Sequence, residues 1–151
     1  MPDNFPLADL LPQSRNMILI DRLLAADDQH ALVQLSVRDD GLFSGPDRCV
    51  PAWLGLEYMA QTIGAYSGYQ RRRAGLEIGL GFLLGTRHYQ SSVDRFPCGA
   101  VLTVRAEKII EAANDMAVFD CKIDGAGIQA AAKLNVLLPE DWQRFIAQKA
   151  A

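Results

Sequence analysis

The sequence predicts an α+β chain: a curled antiparallel sheet wrapped around one long helix. Three observations carry that expectation. Residues 51–73 read as a single helix with apolar side chains on every face. Strand-like segments come as two before that helix and four after it. Short turn signals separate the later strands, so they pair antiparallel, and a sheet of that extent curls around the one helix long enough to fill it.

Taken in order, Asn16 to Ala26 is a run rich in Ile and Leu, bounded by Asp27-Asp28, and reads as a strand. Ala31 to Arg38 alternates, with Val33, Leu35 and Val37 on one side and Leu32, Gln34, Ser36 and Arg38 on the other. A hairpin-like turn at Asp27-Asp28-Gln29 joins the two. Asp39 to Cys49 holds two Gly, a Pro and a Ser and reads as a loop. The long helix is expected from about Pro51, whose missing N–H costs nothing in a first turn, to Arg73, ending at Ala74-Gly75. Its last turn, Arg71-Arg72-Arg73, sets positive charge at the negative end of the helix dipole. Strands follow at Ile78 to Ser91, Val101 to Glu111, Met116 to Ile123 and Ile128 to Leu138. The turns between them are Phe96-Pro97-Cys98-Gly99, Asn114-Asp115 and Asp124-Gly125-Ala126-Gly127. A short amphipathic helix, Glu140 to Lys149, closes the chain with Trp142, Phe145 and Ile146 on one side. Two strands, one buried helix and four strands is the hotdog order, and residues 1–151 are expected to form one such domain.

The bulk numbers narrow the function. At 151 residues the chain is large enough to bury a core without staples. A net charge of −3 argues against nucleic acid as the main ligand, because phosphate binding needs a basic surface. Cys49, Cys98 and Cys121 form no CxxC pair, which fits a reducing compartment and excludes a disulfide framework. Two distant histidines and uncombined cysteines give no metal cluster, and no phosphate or dinucleotide loop is present, so no cofactor is expected. The N-terminus lacks a signal-peptide pattern and the longest apolar run, Ile78 to Gly85, is too short to span a bilayer; a cytoplasmic location is expected.

Between Arg48 and Arg71 the only charged side chain is Glu57. A carboxyl group set among apolar side chains favours its protonated form, which proton-transfer chemistry near neutral pH requires. Trp53, Leu56 and Met59 are the expected apolar wall. Gln61, one turn on, is placed to bond Glu57 and fix its rotamer; a packing amide is the alternative.

These residues also resemble a known family. Leu11-Pro12-Gln13 followed by Met17-Ile18-Leu19-Ile20-Asp21-Arg22 resembles the "LPH" triplet and first strand of the 3-hydroxyacyl-acyl-carrier-protein dehydratases. Phe43-Ser44-Gly45 resembles their "FPG" loop, and Pro51 to Gln61 their "PGxLxLEAxAQ" helix start, with the family's acidic residue on Glu57 and its Gln on Gln61. Phe96-Pro97-Cys98-Gly99 falls where the family has a "PG" turn. Trp53 and Met59-Ala60-Gln61-Thr62 resemble a divergent branch found with aryl-polyene or related type II polyketide pathways. The resemblance implies a hotdog fold and a double-hotdog dimer with active sites at the interface, one protomer giving the helix carboxylate and the other a His. It implies substrates carried as thioesters on acyl carrier protein. It also implies pocket residues at Leu42, Phe43, Gly45, Pro51 and Leu56, and thioester-facing amides at Ala52 and Trp53.

One departure matters most. The family's catalytic His immediately precedes the "FPG" loop, and that position is Leu42. One extra residue also lies between Gly45 and Pro51, so the loop is remodelled. Of the two histidines, His88, on the strand after the helix, is the candidate substitute, and His30 sits beside a turn. The expected function is therefore a 3-hydroxyacyl dehydratase or the carboxylate-bearing subunit of a heterodimer with another hotdog chain. A hotdog thioesterase and a non-catalytic hotdog that binds an acyl chain or stabilises a partner are the alternatives. Arg71, Arg72 and Arg73 read either as a capped helix end or as a patch for an acidic carrier protein, with Arg87 and Arg95 as further candidates.

Overall fold

The fold is taken from a computed structural model that describes residues 5–13, 17–79, 81–141, 144, 147 and 148. Its strands are β1 (Arg22–Ala26), β2 (His30–Ser36), β3 (Cys49–Pro51), β4 (Phe82–Ser91), β5 (Arg95–Pro97), β6 (Val101–Glu111), β7 (Met116–Gly125) and β8 (Ile128–Leu137). One long helix, α1 (Leu54–Arg73), lies between β3 and β4. Six strands form one antiparallel sheet in the order β1-β2-β6-β7-β8-β4, and β3 pairs with β5 in a separate ribbon. This is the hotdog arrangement.

Period-two patterning sets which way the sheet faces. Along β8, Ile128, Ala130, Ala132, Leu134 and Val136 are buried, and β7 turns Ala117, Phe119, Cys121 and Ile123 to the same side. Against that face α1 lays Tyr58, Met59, Ile63, Ala65 and Tyr66, with Tyr66 edge-on to Phe119 at 5.3 Å. Each large side chain so buried contributes about 1.5–3 kcal/mol. Burial pushes the Cys121 thiol up to about 12. Native protein is therefore expected to leave Cys121 unalkylated by iodoacetamide at pH 8, and denaturant to expose it; labelling of Cys121 at the native rate of Cys49 would contradict the packing.

Tight turns close the hairpins. Asn114 and Asp115, between β6 and β7, both take positive φ, 66° and 64°, as a two-residue hairpin turn of the right twist demands. Gly68 is required for a different reason. The Leu10 carbonyl occupies the place a Cβ would take there, so the N-terminal segment straps directly across α1.

The structure corrects several expected boundaries. Of the expected strand Asn16–Ala26, the described residues 17–26 are regular only from Arg22, because the Leu19 amide and Met17 carbonyl bond the Gln61 side chain instead of a neighbouring strand. Pro51 is not in a first helical turn. It ends β3 opposite Arg95, and α1 begins at Leu54 after Trp53. The segment Arg95–Pro97, expected as part of a turn region, is the short partner of that strand. β4 starts at Phe82, later than Ile78. Trp142, Phe145 and Ile146 of the expected C-terminal helix lie outside the described residues. Among the described residues no helix is long and apolar enough to cross a membrane.

Candidate active site

α1 is buried on most of its surface but not on all of it. Glu57, Ala60, Gly64, Ser67 and Arg71 recur at steps of three and four, so they line one stripe, and none of them is buried. The expectation of a helix covered all round, with Glu57 sealed inside the chain, is not met: Glu57 is exposed in the single chain. The expected wall is also different. Met59, two residues on, points to the opposite side of the helix and is fully buried, while Trp53 is 59% exposed.

A cavity of about 200 Å³ adjoins Glu57, lined by Pro12, Gln13, Ala60, Gly64, Phe82 and Leu83 among others. A second, of about 430 Å³, lies beside the far end of α1 with Arg71 and Lys108 on its wall. Both include Ser67, Gly79 and Leu138, so they join into one groove along the open stripe. From Glu57 to Arg71 the helix rises about 20 Å. Beside the groove runs β4, the end strand of the sheet, which exposes Leu83 and Leu84 at 49% and 51%.

Gln61 fixes the carboxylate. Its Oε1 accepts from the Leu19 amide at 2.8 Å, and its Nε2 donates to the Met17 carbonyl at 2.8 Å and to Glu57 Oε1 at 3.0 Å. The two backbone partners dictate which end of the amide is nitrogen, so Gln61 is held as a donor toward Glu57. Gln61 is 1% exposed and its bonds are those of a fully engaged amide. One Glu57 oxygen is thereby held by Gln61.

The start of α1 is ordered by its neighbours. The Ala52 amide donates to the Asp94 carbonyl at 2.9 Å and is not free for a ligand. Tyr89 donates its hydroxyl to the Ala52 carbonyl and packs over Gly55, where a methyl group would collide with it. Among the described residues the Trp53 and Leu54 amides meet no acceptor, which leaves them as the unpaired donors at this end.

The other sequence-predicted residues gather elsewhere. Leu42 is 49% exposed on the loop after β2 and is not on the wall of Glu57's cavity. Phe43 packs edge-on to Trp53 at 6.2 Å, and Gly45 lies beside the Asp47–Arg95 ion pair of 2.5 Å. Pro51 and Leu56 are half-buried near the helix start, away from that cavity. His88 is exposed, sits at a register break in β4 with φ 57°, and is likewise off the cavity wall. The arginine triplet is engaged within the chain: Arg71 donates to the Glu77 and Glu140 carbonyls, Arg72 to the Asp9 carbonyl, and Arg73 lies over Tyr69 near Asp28. Gln13, from the "LPH"-like triplet, also lines the cavity beside Glu57.

Comparison with known proteins places this geometry. The family model described as ApeP-like, ApeP dehydratase, matches residues 5–147. The chain is similar to a chain of the dehydratase heterocomplex ApeI:P from Xenorhabdus doucetiae, at 28% identity and a TM-score of 0.83, over 92% of this chain and 94% of that one. It is also similar to a hypothetical thioesterase with coenzyme A from Streptococcus pneumoniae TIGR4, at 15% identity and TM-score 0.56, over 76% and 84% of the two chains. A third similar structure is smu.793 from Streptococcus mutans UA159 bound to acetyl CoA, at 13% identity and TM-score 0.59, over 78% and 86%. The last two likenesses speak to the hotdog fold alone. No curated protein matches. A family match over nearly the whole length, with a hotdog fold shared with a dehydratase heterocomplex, makes this a hydro-lyase of the 3-hydroxyacyl dehydratase type: the chain belongs to the ApeP-like dehydratase family.

Proposed function

We propose that this chain is the carboxylate-bearing subunit of a two-chain dehydratase, acting in the cytoplasm on 3-hydroxyacyl thioesters held by an acyl carrier protein. The observation that carries the reading is a half-built site. Glu57 is held by Gln61 beside a groove open along one stripe, while the loop position that carries the resembled family's His is Leu42, exposed and off that groove's wall. A second hotdog subunit laid along the free edge of β4 would cover Leu83 and Leu84, close the groove and exclude water from Glu57. That the similar Xenorhabdus doucetiae structure is a heterocomplex supports a partner of different sequence.

In this arrangement the partner's His removes the proton beside the thioester carbonyl. Glu57 gives its proton to the departing hydroxyl, and the carbon–oxygen bond breaks to release water. The free Trp53 and Leu54 amides are the donors at hand for the charge that builds on the thioester oxygen. The groove takes the acyl tail.

The test mixes this chain with a hotdog subunit that keeps His at the loop position and follows enoyl absorbance from a 3-hydroxyacyl thioester. The mixture is expected to exceed this chain alone by about a hundredfold or more, the usual worth of a positioned base. Equal rates with and without the partner would count against the two-chain site. Release of free thiol without enoyl absorbance would mean hydrolysis in place of elimination.

A further inference from the structure

Between Glu77 and Asp94 the chain holds no carboxylate, and Arg87 is its one permanent charge. Arg87 stands on β4, the end strand of the sheet, and pairs in register with Lys133 of β8. Like charges directly across a strand pair repel. Lys133 has Asp120 across from it on its other side, on β7. Arg87 has no strand of this sheet on its other side. Among the described residues neither Arg87 nor Lys133 forms an ion pair. The cavity they share, of about 330 Å³, is walled by Ile110, Met116, Val118 and Asn135 among others, with no carboxylate among its described lining residues. A chain of net charge −3 thus keeps a cationic seam at an open sheet edge.

An edge strand exposes unpaired backbone groups and is completed by another strand. A second copy of this chain fits that edge badly. For both long helices to lie on one side of the joined sheet, two antiparallel copies of β4 must pair residues of the same facing. Such a pairing centres on a single residue, and the middle of Phe82–Ser91 is Thr86 or Arg87. Between its two register breaks β4 is also regular over Gly85–Arg87. Centred on Arg87, the two guanidinium groups are directly opposed; centred on Thr86, they are diagonal neighbours. Either way two Arg87 and two Lys133 side chains gather at the seam, and a symmetric contact repeats the conflict.

We propose that Arg87 selects the partner: β4 pairs with the edge strand of a different hotdog subunit that sets a carboxylate against Arg87, and the same charge disfavours a second copy. The inference rests on the two-chain reading of Glu57 and names what that partner carries. Two copies would bring two Glu57 and two Leu42 with no loop His, so an edge that rejects its own copy also rejects an incomplete enzyme.

The test measures both associations by sedimentation at low salt, using a His-bearing hotdog subunit with Asp or Glu on its edge strand. Arg87→Gln is expected to weaken the mixed pair about threefold and to strengthen self-association of this chain by a similar factor. Arg87→Glu is expected to weaken the mixed pair about tenfold, and reversing the facing partner carboxylate to Lys to restore it. Arg87→Lys is expected to keep the native behaviour. Added salt is expected to weaken the mixed pair and favour the self pair. Melting temperatures confirm that each variant folds. Changes of the same sign in both associations, or a loss confined to binding of acyl carrier protein, would overturn the role. Mixed pairs that raise dehydratase rate yet ignore Arg87 would overturn it alone. No mixed pair with native protein would remove the two-chain reading beneath it.

Discussion

Replacing Glu57 with Gln is expected to lower dehydratase turnover in the assembled enzyme by about 10²- to 10⁴-fold, the span of a lost general acid. That corresponds to about 3–5 kcal/mol of barrier. The substitution keeps shape, and the new amide oxygen still accepts from Gln61 Nε2, so the 3.0 Å bond survives. Because Glu57 is exposed in the single chain, folding stability is expected to change by less than about 0.5 kcal/mol. A large kinetic loss beside an unmoved denaturation midpoint is the signature of a chemical role. Full turnover in the variant would end the case for Glu57 as the acid.

Gln61→Leu is expected to act on stability first. It removes the partner of the Leu19 amide and of the more exposed Met17 carbonyl, and the buried Leu19 group left unsatisfied costs about 1–3 kcal/mol. A loss of about that size follows, read as a lower urea midpoint at unchanged slope. Turnover is expected to fall as well, because Glu57 loses the donor that fixes its rotamer. Gln61→Glu separates the two effects. It places a second carboxylate against Glu57 and cannot donate to Met17, so it is expected to be worse than Leu for turnover at neutral pH. An unmoved midpoint in Gln61→Leu would mean that this amide does not anchor the 17–19 segment.

Strands with strong period-two alternation and turn residues at both ends were legible from the sequence. Val101–Glu111 keeps its expected limits, and β8 differs by a single residue at its end. The end of α1 at Arg73 was legible for the same reason, since the change from apolar residues to three arginines and Ala74-Gly75 is local. Segments whose backbone partners are remote were not. Cys49–Pro51 is a strand because Arg95–Pro97 lies opposite it, and 17–19 is not one because a side chain from α1 takes its hydrogen bonds.

The residue types and spacing determined the class of fold and the place of the one acidic group on the long helix, and the family resemblance marked Leu42 as standing where the family has its loop His. Tertiary structure alone decided that Glu57 faces an uncovered stripe, that Met59 turns away from it, that the Ala52 amide is spent on Asp94, and that the buried Gln13 oxygen is left without a donor. Periodicity reports which side chains share a face of their own element. What lies over that face, and which polar atoms find partners there, depends on segments distant in the chain, and no local pattern encodes it.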